Sequence, residues 1–174
     1  MTAQRQERNG QRAGIGFRPR IALFALLAGL VMVAVPAVRA QAATTERVVV
    51  NRYTGLAIEG FDPVAYFADA RPVAGLVEFE ALDSGAVWRF RNASNRAAFL
   101  AYPDIYGPQF GGYDPVDLAR GVTFGGNPRF FLVYAQRLFL FGREQSRDAF
   151  AADPSQFLTE ANQRWPALRQ TLAE

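Results

Sequence analysis

Two short stretches of the chain hold the residues whose types and spacing could do chemistry. Each contains an Asp-Pro-Val triplet, in which Asp suits the N-cap of a helix and Pro suits its first residue. Helix N-termini attract anions, and nearby aromatic side chains, Trp88 among them, could wall a small pocket. The predicted ligand-binding residues are Asp62, Tyr66, Gly111, Gly112, Tyr113, Asp114 and Asp117. The pattern therefore predicts a binding site around the Gly-Gly-Tyr-Asp loop.

The same side chains allow other interpretations. Asp114 and Asp117 are also explained as a helix cap and as a partner of the helix dipole, without any ligand. Carboxylates of Asp62, Asp114 and Asp117 together would suit a hard cation such as Ca²⁺, Mg²⁺ or Mn²⁺, although no loop has calcium-binding spacing. Asp114 and Tyr113 could act as acid and base in an enzyme if burial shifts their pKa values.

The composition lacks most of the side chains that enzymes use for catalysis. The 174 residues include no His, no Cys and no Lys, so the imidazole base, the thiolate and the reactive amine are all absent. We therefore predict a protein that is not an enzyme, with no cofactor and no metal. From Ala43 onward, thirteen Arg are set against fifteen Asp and Glu, a net charge of 13 − 15 = −2, so no nucleic-acid partner is expected.

The N-terminal segment has the three parts of an export signal. A polar, Arg-containing stretch precedes an apolar run. Small residues then occupy the positions that cleavage after Ala40 or Ala42 requires. We predict a signal peptide over 1–42 and a leader over 43–52, which makes the protein periplasmic or secreted. The alternative is an uncleaved membrane anchor, since 21–38 is long enough to span a bilayer.

Residues 53–170 are predicted to form one domain. Alternating apolar residues predict two hairpins, 77–82 with 86–91 and 129–134 with 138–141. Short helices follow each hairpin and are interrupted at Pro103 and Pro154. The expected fold is α+β: a small, mostly antiparallel sheet of hairpins, with short helices packed on one face and at the ends.

A weak internal echo runs through this domain. The pattern that begins at Trp88 recurs from Phe139, at a constant offset of 51 residues. Strand, helix, a bend marked by Pro and then an aromatic residue follow in the same order in both copies. We interpret the echo as two similar strand-helix units that share one core.

The order of these motifs resembles the exported proteins of the YHS-domain family. The resemblance covers about residues 50 to 168 and rests on the segment 60–67, Trp88-Arg89-Phe90, Asn95-Arg96, Phe99, Pro103, the segment 106–113, Leu138-Phe139-Leu140 and Trp165. It implies a small α+β module, for which metal binding through Cys is the role usually suggested. In the exported branch a Cys follows Gly-Gly-Tyr, and Asp114 occupies that position here, so only the scaffold, Tyr113 and the surroundings of Asp114 carry over.

The expected function is an exported, non-enzymatic binding module for an unknown small ligand or protein partner. The alternative is a structural or protein-interaction domain that has lost the reactive Cys of the family. Phe130, Phe131 and Phe139 could then face a partner, although alternating aromatics in a hairpin usually form the core of the sheet itself. The two functions differ in whether Tyr113 and Asp114 line a cavity or a flat surface.

Overall fold

A computed structural model describes residues 47–172, which belong to one compact unit of the chain, Ala40–Glu174. The predictions of a signal peptide over 1–42 and of a membrane anchor over 21–38 lie outside the described residues, as does the first part of the leader. Within 47–172, no helix is both long enough and apolar enough to cross a membrane.

The α+β fold is confirmed, and both hairpins form where alternation predicted them. Strand β1 (Leu76–Asp83) pairs antiparallel with β2 (Ala86–Phe90), and β3 (Asn127–Tyr134) pairs antiparallel with β4 (Arg137–Phe141). Each hairpin is a two-stranded sheet of its own, so the expected small sheet is divided into two.

Short helices surround the hairpins. They are α1 (Ala65–Ala68), α2 (Ala93–Ala101), α3 (Pro103–Tyr106), α4 (Pro115–Leu118), α5 (Glu144–Ala152) and α6 (Pro154–Gln170), with single 3-10 turns at Ile58–Gly60 and Gln109–Gly112. Proline occupies the first residue of α3, α4 and α6, where its missing N–H has no helical partner to lose. The predicted interruptions at Pro103 and Pro154 are confirmed as helix starts.

The elements occur twice in the same order. A 3-10 turn, a short helix, a hairpin and two helices form the first repeat (56–106), and the same series forms the second repeat (108–170). This order confirms the two similar strand-helix units, but the single shared core is wrong, because the buried apolar residues form two clusters. The copies differ at their ends, because the four-residue α3 corresponds to the first turn of the seventeen-residue α6.

Strand β4 stands between two hydrophobic clusters. Leu138 and Leu140 pack into a cluster with residues of the first repeat, whereas Phe139 and Phe141 pack into a cluster of the second repeat. Side chains on a strand alternate between its two faces, so one strand can serve both clusters. Phe130 and Phe131 pack against these clusters as well, which confirms the core interpretation of the hairpin aromatics.

Candidate functional site

Asp62 and Asp114, the first residues of the two Asp-Pro-Val triplets, are both fully buried. In each, carboxylate Oδ1 accepts a hydrogen bond from the amide two residues later, Val64 N or Val116 N, at 2.9 Å. Asp114 is therefore the N-cap of α4, with Pro115 as the first helical residue, as its triplet predicted. The same prediction is wrong for the first triplet, because α1 begins only at Ala65 with Val64 as its N-cap, and Asp62 instead closes the turn that precedes the helix.

The second oxygen of each carboxylate reaches a distant part of the same repeat. Asp62 Oδ2 accepts from Arg91 N at 2.9 Å, and Asp114 Oδ2 accepts from Gly142 N at 2.8 Å. Both amides lie between the second strand of the hairpin and the helix that follows it. Each Asp thus joins a helix start to a strand end within its repeat, a role that sequence spacing does not reveal.

The two repeats complete this arrangement differently. In the first repeat, Asn95 Nδ2 donates to Asp62 Oδ2 at 2.6 Å. Ser146 takes the corresponding position in the second repeat, where its hydroxyl lowers the pKa of Asp114 but makes no hydrogen bond of standard geometry with the described residues. Asp114 therefore has one side-chain donor fewer than Asp62.

Asp117 is held by arginine. It is 6% exposed, and its Oδ1 accepts from Arg143 Nη2 at 2.8 Å and forms an ion pair with Arg120 Nη1 at 3.7 Å. Among residues 47–172, no three acidic side chains lie together in a way that could hold a metal ion. The alternative of a hard-cation site on Asp62, Asp114 and Asp117 is therefore wrong, because Asp62 and Asp114 serve different repeats and bind backbone amides instead.

The two predicted tyrosines lie in the core. Tyr66 O–H donates to Pro128 O of the second repeat at 2.8 Å, and its ring meets Phe131 edge-on with centroids 4.8 Å apart. Burial, reinforced by Glu59, raises the pKa of Tyr66. Tyr113 is also fully buried, with its ring 5.9 Å from that of Trp165. A substrate has no access to Tyr113 or Asp114, the pair that led the enzymatic alternative.

Gly111 and Gly112 have positive φ angles of 64° and 89°, in the region that favours glycine. Gly111 lies directly against the segment that precedes the first repeat. A Cβ atom at Gly111 would be 2.0 Å from Arg47 O, and Val49 N donates to Gly111 O at 2.8 Å. The glycine therefore lets the leader pack onto the loop.

A groove of about 640 Å³ opens beside this loop. Its lining comes from the leader, the β1–β2 hairpin, α2 and α3, the start of the second repeat with its 3-10 turn, and the C-terminal half of α6: Arg47, Val48, Asp83, Ser84, Gly85, Trp88, Phe99, Pro103, Asp104, Gly107, Pro108, Gln109, Phe110, Gly111, Trp165 and Arg169. Of the seven predicted ligand-binding residues, only Gly111 lines it; Trp88, predicted as a pocket wall, lies there too. The predicted role of the other six in ligand binding stays a prediction.

The groove lining carries both signs of charge. The first repeat contributes Asp83, the last residue of β1, and Asp104, from α3. The leader contributes Arg47, and the last turn of α6 contributes Arg169. Sequence reasoning missed these charged residues because they come from segments up to 122 positions apart.

Burial of Asp114 predicts a pH dependence of stability. Burial, reinforced by the nearby Asp117 charge, raises its pKa above the ordinary value of 3.8, against the opposing effect of the Gly142 and Val116 amides. The folded state then binds the proton more tightly than the unfolded state. The stability contributed by Asp114 should be highest below pH 3.8 and should fall as the pH rises through the folded-state pKa.

Urea unfolding of the wild type and of Asp114→Asn between pH 3 and 8 measures this effect. The difference in free energy of unfolding, wild type minus variant, should decrease as the pH rises. Asp153 provides the opposite control, because hydrogen bonds from Gln156 N and Ser155 Oγ lower its pKa. For Asp153→Asn the same difference should increase with pH, and equal slopes for both variants would contradict the assignment.

Comparisons of this chain with protein-family models, with curated proteins and with solved structures found no match.

Proposed function

We propose that this domain is a non-enzymatic binding module, exported as the N-terminal segment predicts, whose ligand occupies the groove between the two repeats. The observation that carries the proposal is the groove itself, whose volume of about 640 Å³ is in the usual range for small-molecule sites. It reaches the predicted Gly-Gly-Tyr-Asp loop at Gln109–Gly111, on the surface of the loop, while Tyr113 and Asp114 pack beneath it.

The chemistry of the lining favours binding over catalysis. Ser84 is the one hydroxyl side chain among the residues that line the groove, and its Oγ donates to Asp83 Oδ2 at 2.9 Å. A serine nucleophile needs a base that removes its proton; the only partner of the Ser84 hydroxyl among the described residues is the weakly basic Asp83 carboxylate, and the chain contains no His or Lys side chain to do so. Arginine, aspartate, an amide and aromatic rings remain, and these groups bind and orient ligands.

The resemblance to YHS-domain proteins supports the scaffold of this proposal but not a metal. Asp114 stands where the exported branch has its Cys, and it is buried among backbone donors. The proposed site therefore uses a different surface from the one that the resemblance implies.

The tryptophans make the proposal directly measurable. The chain has two, Trp88 and Trp165, and both line the groove. We expect at least one compound from a chemically varied panel (L-phenylalanine, glucose, adenosine and succinate) to change tryptophan fluorescence in a saturable way. The same compound at about one hundred times its Kd should stabilise the fold by roughly 2.7 kcal/mol in a thermal-shift experiment.

The internal repeat supplies a matched control. Asp104 in the groove corresponds to Ser155 in the second repeat, and both are exposed at the first turn of a helix. Asp104→Tyr should obstruct the groove and weaken binding, whereas Ser155→Tyr should leave it unchanged. The proposal fails if no compound in the panel binds, or if both variants bind as well as the wild type.

One observation favours the alternative, a protein-interaction domain. The outer side of the first repeat exposes Leu100, Tyr102 and Ile105, with 49%, 60% and 40% of their surface accessible. The corresponding residues of the second repeat are Ala151, Asp153 and Gln156, so this apolar surface is not a requirement of the fold. Sedimentation at rising concentration shows whether two copies pair through it, and Tyr102→Asp should then keep the protein monomeric.

A further inference from the structure

We infer that the groove binds a zwitterion: a small molecule with a free ammonium, a free carboxylate and a flat apolar body, such as an aromatic amino acid or a short peptide that contains one. The inference rests on the proposed function and specifies its ligand. It is carried by the carboxylates and guanidinium groups that line one groove and by the aromatic residues that line it with them.

The acidic residues of the groove are a specific feature of the first repeat. Asp83 and Asp104 correspond to Tyr134 and Ser155 of the second repeat, which builds the same hairpin and the same helix start without either carboxylate. The fold therefore does not require acidic residues at these positions. Two carboxylates that border one groove are suited to bind an ammonium group.

Two arginines line the same groove. Arg169 is exposed on the last turn of α6, and Arg47 is half-buried beside Gly111. A guanidinium group presents a planar set of N–H donors that matches the two oxygens of a carboxylate. A carboxylate is therefore the group that these side chains are best suited to bind.

Aromatic residues line the groove together with the charged ones. Trp88 is held in place by a hydrogen bond from its Nε1 to Asp83 O at 3.1 Å, and its ring packs against Phe99 with centroids 4.8 Å apart. Trp165 is half-buried and meets Phe110 edge-on at 5.8 Å. The exposed part of Trp165 offers a flat surface on which an apolar ring can stack.

The charges favour a ligand that carries both signs. An anion without an ammonium group makes no use of Asp83 and Asp104, and a cation without a carboxylate makes no use of Arg169. A zwitterion can place each of its groups against an opposite charge of the lining. Charge complementarity therefore favours both groups in one molecule.

Three phenylalanine probes test the inference, two of which each lack one of the charges. L-phenylalanine carries both groups, N-acetyl-L-phenylalanine lacks the ammonium, and L-phenylalaninamide lacks the carboxylate. Tryptophan fluorescence should show that each blocked probe binds at least about tenfold more weakly than L-phenylalanine, as expected for the loss of one charged hydrogen bond. The dipeptide Phe-Phe separates the two sources, because tighter binding than L-phenylalanine identifies a peptide and weaker binding identifies a free amino acid.

Two exposed groove residues make the assignment specific. Asp104→Asn should weaken L-phenylalanine about tenfold and should not weaken N-acetyl-L-phenylalanine, because that probe has no ammonium to lose. Arg169→Gln should weaken L-phenylalanine and should not weaken L-phenylalaninamide. Circular dichroism should confirm that both variants stay folded.

Equal affinity for the three phenylalanine probes, or no binding of any of them, would overturn the inference. The proposed function survives that outcome if glucose, adenosine or succinate binds in the groove and Asp104→Tyr weakens it. If nothing in the wider panel binds either, the proposed function fails together with the inference.

Discussion

The Asp62→Ala variant should lose about 3–5 kcal/mol of its free energy of unfolding. The carboxylate is fully buried and accepts from three donors, Val64 N, Arg91 N and Asn95 Nδ2. Alanine would leave all three without their acceptor, and a buried unsatisfied donor costs about 1–3 kcal/mol. Urea unfolding followed by far-ultraviolet circular dichroism measures the loss.

Two further Asp→Ala variants show whether burial causes the effect. Asp114 accepts from two backbone amides, so Asp114→Ala should cost about 2–4 kcal/mol, less than Asp62→Ala. Asp153 also caps a helix, by accepting from Gln156 N, but it is exposed, so Asp153→Ala should cost much less than either. Similar losses in all three variants would mean that the buried pair act as ordinary caps.

The second large effect is expected at Gly111. In Gly111→Ala the new Cβ would lie 2.0 Å from Arg47 O, and the residue would also keep a φ of 64°. The backbone conformation alone costs about 1–2 kcal/mol for a residue other than glycine. The leader must also move away, so the variant should be destabilised by more than about 3 kcal/mol in urea unfolding.

Gly55→Ala separates the clash from the backbone strain. Gly55 has a similar φ of 70°, but no atom lies within 4 Å of an added Cβ. It should therefore show the cost of the conformation alone. Hydrogen exchange of Val49 N–H, which donates to Gly111 O, should accelerate in Gly111→Ala and stay slow in Gly55→Ala; equal stability losses in the two variants would contradict contact with the leader.

Local sequence signals predicted most of the fold. Apolar alternation located both hairpins, and proline located the starts of α3 and α6, because these signals act between neighbours in the chain. Of the two Asp-Pro-Val triplets, the second was correctly assigned as a helix cap, whereas the first precedes a helix that begins only at Ala65. The second role of both Asp residues was not visible, because the backbone amides that donate to Oδ2 of Asp62 and Asp114 lie 29 and 28 residues away, and only tertiary packing brings them together.

The groove could not be predicted from local patterns. Its lining combines Arg47 with Arg169 and Asp83 with Asp104, and no periodicity relates these positions. The sequence did contain one usable signal, the offset of 51 residues. Where the copies differ, as at Asp83 and Tyr134, the common fold does not dictate the residue, and such positions are candidates for function.

The groove is lined by residues near both ends of the described chain, Arg47 and Arg169. A linker could therefore join the two ends in a circular permutant. New termini between Gly107 and Pro108 would place the second repeat before the first. Asp62 and Asp114 would keep their partners, since each binds within its own repeat. We therefore expect the two repeats to form the same structure whichever of them is synthesised first.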